Sequence, residues 1–366
     1  MNKKIIFSSG GTGGHIFPAV NLMKYFSKKG YKVILITDKR GNNFIKDLKF
    51  KSYIISADTP VNKNFFGKIF SVPTILYSII KSIFILKKEK PDLILGFGGY
   101  VSFPVSFVSK FFNFPLVIYE NNSLLGRTNK YLLSFAKKLF IATETPLNIP
   151  EKYKNKVMKV GAILNENINN YSCEQKVKNK NFSILVLGGS QGAEIFGKVV
   201  PPAIKMIKDN GIEVEIKQQC LKEQKKLIVD FYNENKIKSN IFEFNSDLIN
   251  LISSSDLAIS RCGASTSAEL AHTCTPFIAV PYPYSLDNHQ YLNARYYERK
   301  KYCWLLEEKN FNSVNLFNLI LEIINDKKKL ENIRENMKKN YDNNVYKNIE
   351  NIIRKIIKKW KLILPA

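Results

Sequence analysis

The chain is short of cysteine, histidine and acidic side chains, and it has no long apolar run. Its five cysteines (Cys173, Cys220, Cys262, Cys274 and Cys303) are odd in number, scattered and free of CxxC spacing. That pattern argues for a reducing compartment and against a zinc site. Histidine occurs only at His15, His272 and His289. No uninterrupted apolar stretch reaches about 18 residues, so no transmembrane helix is expected. Met1 to Phe7 runs straight into a glycine loop, too short a lead for a signal peptide, which makes the expected location cytoplasmic. Acidic residues number 31 against 56 Lys and Arg, a formal charge of +25. An excess of that sign suits nucleic acid, an anionic membrane surface or phosphorylated substrates. Lys, Asn and Ile are used heavily throughout, as in an AT-rich genome, so the sign of the charge informs more than its size. No zinc-finger or RNP aromatic pattern appears, which weighs against a nucleic-acid-binding protein.

What is present is a recurring strand, glycine loop and helix. At 366 residues the chain is longer than single cores usually grow, so two domains are expected. Ile5 to Ser9 reads as a buried strand, followed by Gly10-Gly11-Thr12-Gly13-Gly14-His15. A helix with Pro18 in its first turn then runs to about Lys29 and ends at Gly30. The second half opens alike, with Ile184 to Leu187 leading into Gly188-Gly189-Ser190-Gln191-Gly192-Ala193. The repetition implies an α/β protein with two Rossmann-like domains facing across a cleft. Such loops let a diphosphate or sugar approach the backbone. Neither loop has Walker A spacing, and Ile16 stands where the dinucleotide fingerprint needs its third glycine, so ATP and NAD are disfavoured.

Four further stretches carry polar groups at strand ends. Gly96 to Ser102 is a second glycine loop, and Glu120-Asn121-Asn122-Ser123 follows the strand Leu116 to Tyr119. Ala258 to Ser260 leads into the small-residue run Ala264-Ser265-Thr266-Ser267-Ala268-Glu269. After the next strand, Phe277 to Val280, comes Gln290-Tyr291-Leu292-Asn293-Ala294. Glu269 has two readings: a ligand group, or the far end of a capping box, Thr266-x-x-Glu269, that only satisfies its own helix. His15 sits in a glycine loop at a strand's carboxyl end, where a histidine suits proton transfer. The segment from Phe65 to Lys88 places Ile75, Leu76, Ile79, Ile80, Ile83 and Phe84 on one helical face, with Lys68, Lys81, Lys87 and Lys88 around it. Periodicity does not separate a core helix from one lying on a membrane.

Together these motifs resemble the bacterial glycosyltransferases that make lipid II. The resemblance spans Gly10 to about Ala294 and rests on Gly-x-Gly-Gly-Tyr-Val-Ser from Gly96, Gly-Gly-Ser-Gln-Gly-Ala from Gly188, the Ala264 to Glu269 run and Gln290 to Ala294. It implies the GT-B architecture. Residues 1–163 would form an acceptor and membrane-associated domain, with a helix at about 342–366 packing back on it. Residues 164–341 would bind UDP-GlcNAc. The implied reaction is inverting transfer of GlcNAc to the 4-hydroxyl of MurNAc in undecaprenyl-linked lipid I, without a cofactor or metal, and no Asp-x-Asp is present. The implied catalytic residues are His15, as general base, and Glu120. The implied substrate contacts are Thr12, Gly13, Gly14, Asn122, Asn165, Ser190, Asn245, Ala264 to Glu269 and Gln290. The implied setting is peripheral, at the cytoplasmic face of the inner membrane.

The chain departs from the family pattern in four places. Tyr119 and Asn121 replace a His and a Gln, Asn165 stands for an Arg near the nucleotide, and Asn245 for an apolar residue beside the uracil. A related enzyme acting on another lipid, such as diacylglycerol, stays open as an alternative.

Overall fold

The computed structural model describes the chain except residues 1–2, 12, 46–47, 57–64, 145, 174–180, 190–191, 246, 341, 343 and 363–366, and the side chains of 65–71. It divides into two compact units, one of residues 1–165 with 342–366, the other of residues 166–341. Each is built on one all-parallel sheet.

The first sheet holds β1 (Lys4–Ser8), β2 (Lys32–Thr37), β3 (Lys51–Ile54), β4 (Leu93–Gly96), β5 (Leu116–Glu120), β6 (Lys138–Ile141) and β7 (Val157–Lys159) in the order 3-2-1-4-5-6-7. The second holds β8 (Phe182–Leu187), β9 (Val214–Gln219), β10 (Lys238–Phe242), β11 (Leu257–Ser260), β12 (Phe277–Ala279) and β13 (Cys303–Leu305) in the order 10-9-8-11-12-13. The central strands are apolar on both faces because helices cover both faces. In β1, Ile5 and Phe7 enter one core and Ile6 the other; in β8, Ile184 and Val186 separate from Leu185 and Leu187 in the same way.

The first helix spans Gly13–Lys28 and stops before Gly30, whose φ is +80°. It starts five residues ahead of Pro18, so the proline lies inside rather than in the first turn. It therefore forfeits the N–H bond that position would give to Gly14.

The Phe65–Glu89 helix is turned differently from the single apolar face read from its periodicity. Ser78 and Ser82 are fully buried with Ile85, Leu86 and Glu89, and the helix packs against Ser102–Phe111. Ile79 and Ile83 are half-buried against the core, while Leu76, Tyr77, Ile80 and Phe84 are exposed. The buried serines are satisfied by backbone, Ser78 donating to the Ser56 carbonyl and Ser82 to the Ser78 carbonyl (2.7 Å), and their turning inward leaves an apolar stripe on the outside. A segment apolar on nearly every side does not disclose which side turns inward.

The last helix, Val345–Lys361, belongs to the first unit. Val345, Tyr346, Ile349, Ile353 and Ile357 join the same core as Phe7 and Phe26. Tyr25 donates to Glu350 (2.7 Å), Trp360 Nε1 to the Asn113 carbonyl (2.8 Å), and Tyr346 to the Leu164 carbonyl. Gly161 makes this docking possible: its φ is +95°, and a Cβ there would lie 2.8 Å from Val345 Cγ2. Gly161→Ala should therefore destabilise the first unit by more than about 1 kcal/mol, from left-handed strain plus the clash. Urea denaturation checks this, and an unchanged midpoint would mean the helix is not seated on Gly161.

Candidate active site

In the first unit the exits of β1, β4 and β5 carry the residues singled out above. Gly13 and Gly14 begin the helix, and His15, half-buried, is its third residue. Thr12 lies outside the described residues. The His15 ring rests on the second glycine loop. A Cβ on Gly98 would lie 3.4 Å from its Cε1, and one on Gly99 3.5 Å from its Cδ2. A Cβ at either position would only touch the ring; it is the positive φ of both residues, +80° and +73°, that calls for glycine there.

Asp38, buried at the end of β2, organises the neighbouring turn. Its carboxylate accepts the Gly41 N–H (2.7 Å) and the Gly11 N–H (3.2 Å). Composition offered no signal for this aspartate, because the two glycines that use it lie on different loops.

Glu120 is buried, and both its oxygens are engaged. Oε1 accepts from the backbone N–H and side-chain amide of Asn122, each at 3.1 Å. Oε2 accepts from the Gly126 N–H (2.9 Å) and Asn129 Nδ2 (3.0 Å). A carboxylate so occupied shapes its loop. Asn122 is half-buried and tied to it. Tyr119, in place of the family's His, is fully buried and accepts the Ile163 N–H at 3.1 Å, so it fastens the end of the first unit. Asn165, exposed, is that unit's last residue before 342.

In the second unit β8 runs into the glycine loop and then the Glu194–Asp209 helix, whose start no side chain caps. Its first N–H groups are therefore of the kind that hold anions. Ser190 lies outside the described residues. Past β10, Asn245 Oδ1 accepts the Asp247 N–H (2.7 Å), an interaction that shapes its own turn.

After β11, Gly263 is the N-cap of the Ala264–His272 helix, and a Cβ on it would touch nothing within 4 Å. Ala264, Ser265 and Thr266 are half-buried, but Ser267 and Ala268 turn into the core. The Ser267 hydroxyl has no hydrogen-bond partner among the described residues. Thr266 is the third residue of the helix and not its cap, so the capping-box reading of Glu269 fails. No bond to the Glu269 carboxylate is found among the described residues, and burial pushes its carboxyl up to about 7.

Gln290 is held by its amide oxygen, which accepts the N–H groups of Cys262 (3.2 Å) and Tyr282 (3.0 Å). Asn293 Nδ2 donates to the Cys262 carbonyl (3.1 Å). Arg261, missed in the sequence, ties the same rim. It pairs with Glu308 at 2.5 Å, donates to the Val280 and Pro281 carbonyls at 3.3 Å each, and lies over the rings of Phe196 and Tyr282. Cys173 and Cys274, 101 residues apart, are joined in a disulfide. That departs from the reading of the cysteines, since spacing along the chain carries no information on such distant pairs.

Residues 5–141 match the glycosyltransferase family 28 N-terminal domain and residues 183–352 the family's C-terminal domain. A Rickettsia canadensis (strain McKiel) protein is 38% identical over 338 residues, covering 91% of this chain and 94% of its own. Its name is UDP-N-acetylglucosamine--N-acetylmuramyl-(pentapeptide) pyrophosphoryl-undecaprenol N-acetylglucosamine transferase. The chain belongs to this transferase family. A Pelagibacter ubique (strain HTCC1062) protein of the same name is 35% identical, covering 90% of this chain and 91% of its own. The crystal structure of Acinetobacter baumannii MurG matches in fold, with a TM-score of 0.79 at 24% identity over 96% of this chain and 99% of that one. The protein is thus a glycosyltransferase with the two-domain GT-B fold.

In this transferase the raised Glu269 carboxyl has a measurable cost. Between the ordinary carboxylate range and pH 7 the folded state holds a proton that the unfolded chain has released. Stability therefore falls as pH rises through that window. Glu269→Gln removes the penalty, so it should stabilise the protein at pH 8, by on the order of 2–3 kcal/mol, and change little at pH 4.5. Urea denaturation at both pH values checks it; the same effect at each would show that the carboxylate is not desolvated.

Proposed function

We propose that the chain transfers GlcNAc from UDP-GlcNAc, with inversion, to the 4-hydroxyl of MurNAc in lipid I, giving lipid II for peptidoglycan synthesis. The observation that carries this reading is Glu269, a half-buried carboxylate without a described partner on the helix that follows the small-residue loop. Ribose hydroxyls would supply the donors it lacks, each bond worth roughly 1.5–3 kcal/mol. Gln290, its oxygen anchored, is left with its amide NH₂ for the sugar. The glycine loop after β8 and the uncapped helix start suit the diphosphate, whose charge grows as the bond from the anomeric carbon to its oxygen breaks.

The attacking 4-hydroxyl must lose its proton as it bonds to that carbon, and His15 is the base we assign. Asn122 would bind the acceptor side, with Glu120 and Asn129 positioning it. Incubation with UDP-GlcNAc and a lipid I analogue, followed by mass spectrometry, tests the assignment; transfer only to another lipid would overturn it. His15→Ala should lower turnover about 10²–10⁴-fold with UDP-GlcNAc affinity unchanged. Wild-type turnover in that variant would remove His15 from the chemistry.

The polyprenyl chain of such an acceptor stays in the bilayer, so we place the protein peripherally on the cytoplasmic face of the inner membrane. No described helix is long and apolar enough to cross a membrane. The exposed stripe of Leu76, Tyr77, Ile80 and Phe84, with Lys81, Lys87 and Lys88 on the same helix, supports a surface attachment. Phe111 and Tyr131, each about two-thirds exposed, add apolar area on neighbouring helices (67% and 68%). Lysines near an anionic leaflet add about 1 kcal/mol each, and apolar burial adds a part that salt does not screen. Replacing Leu76 and Phe84 with Ser should abolish the salt-resistant fraction of binding to anionic vesicles in sedimentation and leave UDP-GlcNAc binding intact. Salt-resistant binding that persists would place the contact elsewhere.

A further inference from the structure

The turn that follows β9 carries none of the motifs read from the sequence, yet it touches both ends of the glycine loop after β8, Gly188 and Gly192. Gln219, the last residue of β9, accepts the Gly188 N–H through Oε1 (3.1 Å) and donates through Nε2 to the Glu243 carbonyl (3.1 Å). β9 lies between β8 and β10 in the sheet, so one side chain reaches both neighbouring strand exits. An amide suits that position because it carries both a donor and an acceptor.

Two residues on, Leu221 packs where the loop ends: a Cβ on Gly192 would lie 2.4 Å from its Cδ2. Gln224 then donates to the Glu194 carbonyl (3.0 Å) and fills the space beside Gly197. Three side chains from one turn thus fix the loop's first residue, its last residue and the first turn of the helix beyond. Gln219 also reaches, through Glu243, the strand exit that leads to Asn245.

We propose that Gln219 is a positioning residue for the donor's diphosphate, acting through the Gly188–Gly192 loop with Leu221 as its second support. The proposal rests on the donor-site reading above. A loop held at both ends presents its amides without first having to order, so the loss of either support should fall on the diphosphate more than on the nucleoside.

The test is calorimetric titration of the full-length protein with uridine and with UDP. The ratio of the two dissociation constants isolates the contribution of the diphosphate. In Gln219→Leu, which removes both hydrogen bonds, that ratio should shrink about tenfold, with uridine affinity nearly unchanged. In Leu221→Ala, a milder change that guards against failure to fold, it should shrink about threefold. Equal weakening of uridine and UDP, or an unaltered ratio in a folded variant, overturns the proposal. Wild-type protein that binds neither ligand instead sinks the donor-site reading, which keeps the two failures apart.

Discussion

Parallel hydrogen bonding sets everything else in this protein. When every strand of a sheet runs the same way, every exit falls at one end, and each chain must turn there into a helix that covers a face. Both units meet that demand with glycine and small residues after β1, β4, β8 and β11. The turns leave backbone amides and helix starts at a single rim, where ligands of open α/β sheets bind. The residues with chemistry to offer, His15, Glu269 and Gln290, stand at those rims because no other part of such a sheet leaves backbone and side chains uncovered together.

Rims of this kind are poor in apolar contacts and need polar bracing. Asp38 and Glu120 supply it in the first unit with carboxylates whose oxygens take backbone and amide N–H groups. Arg261 and Gln219 supply it in the second. A buried guanidinium with one carboxylate partner and two carbonyls gains little net stability over an apolar replacement. What it gives is a fixed shape where the backbone alone would sample several.

The fold was legible in the sequence because glycine loops and β-branched runs are local signals. The two-domain α/β class follows from stretches of fewer than about 30 residues, whereas the return of the last helix to the first unit was implied only by the resemblance. Three things were not legible. The inward face of Phe65–Glu89 depends on Ser78 and Ser82, polar residues that a hydrophobic period counts against burial. The support of Gln219 joins three strand exits that lie far apart along the chain. The cap of the Ala264–His272 helix fell three residues before the predicted one, at Gly263, because a glycine with open space around it leaves no side-chain trace to read. Resemblance named the site residues one by one, but it carries no information on how each side chain is held, as the four hydrogen bonds taken by Glu120 and the burial of Ser267 and Ala268 illustrate.

The return of Val345–Lys361 to the first unit also governs the order in which the chain can mature. The second unit is one continuous stretch, residues 166–341, and all its strands are available once that stretch has been made. The first unit is not. Phe26, Val160 and Ile163 await Tyr346, Ile349 and Ile353, which are made only after the whole of the second unit. During synthesis the earlier-made unit therefore carries an uncovered apolar groove until that helix is made, and the later-made one is the first to be complete. Such a chain is most exposed to aggregation and to chaperones through its N-terminal half, and a stop before Val345 would leave that exposure permanent.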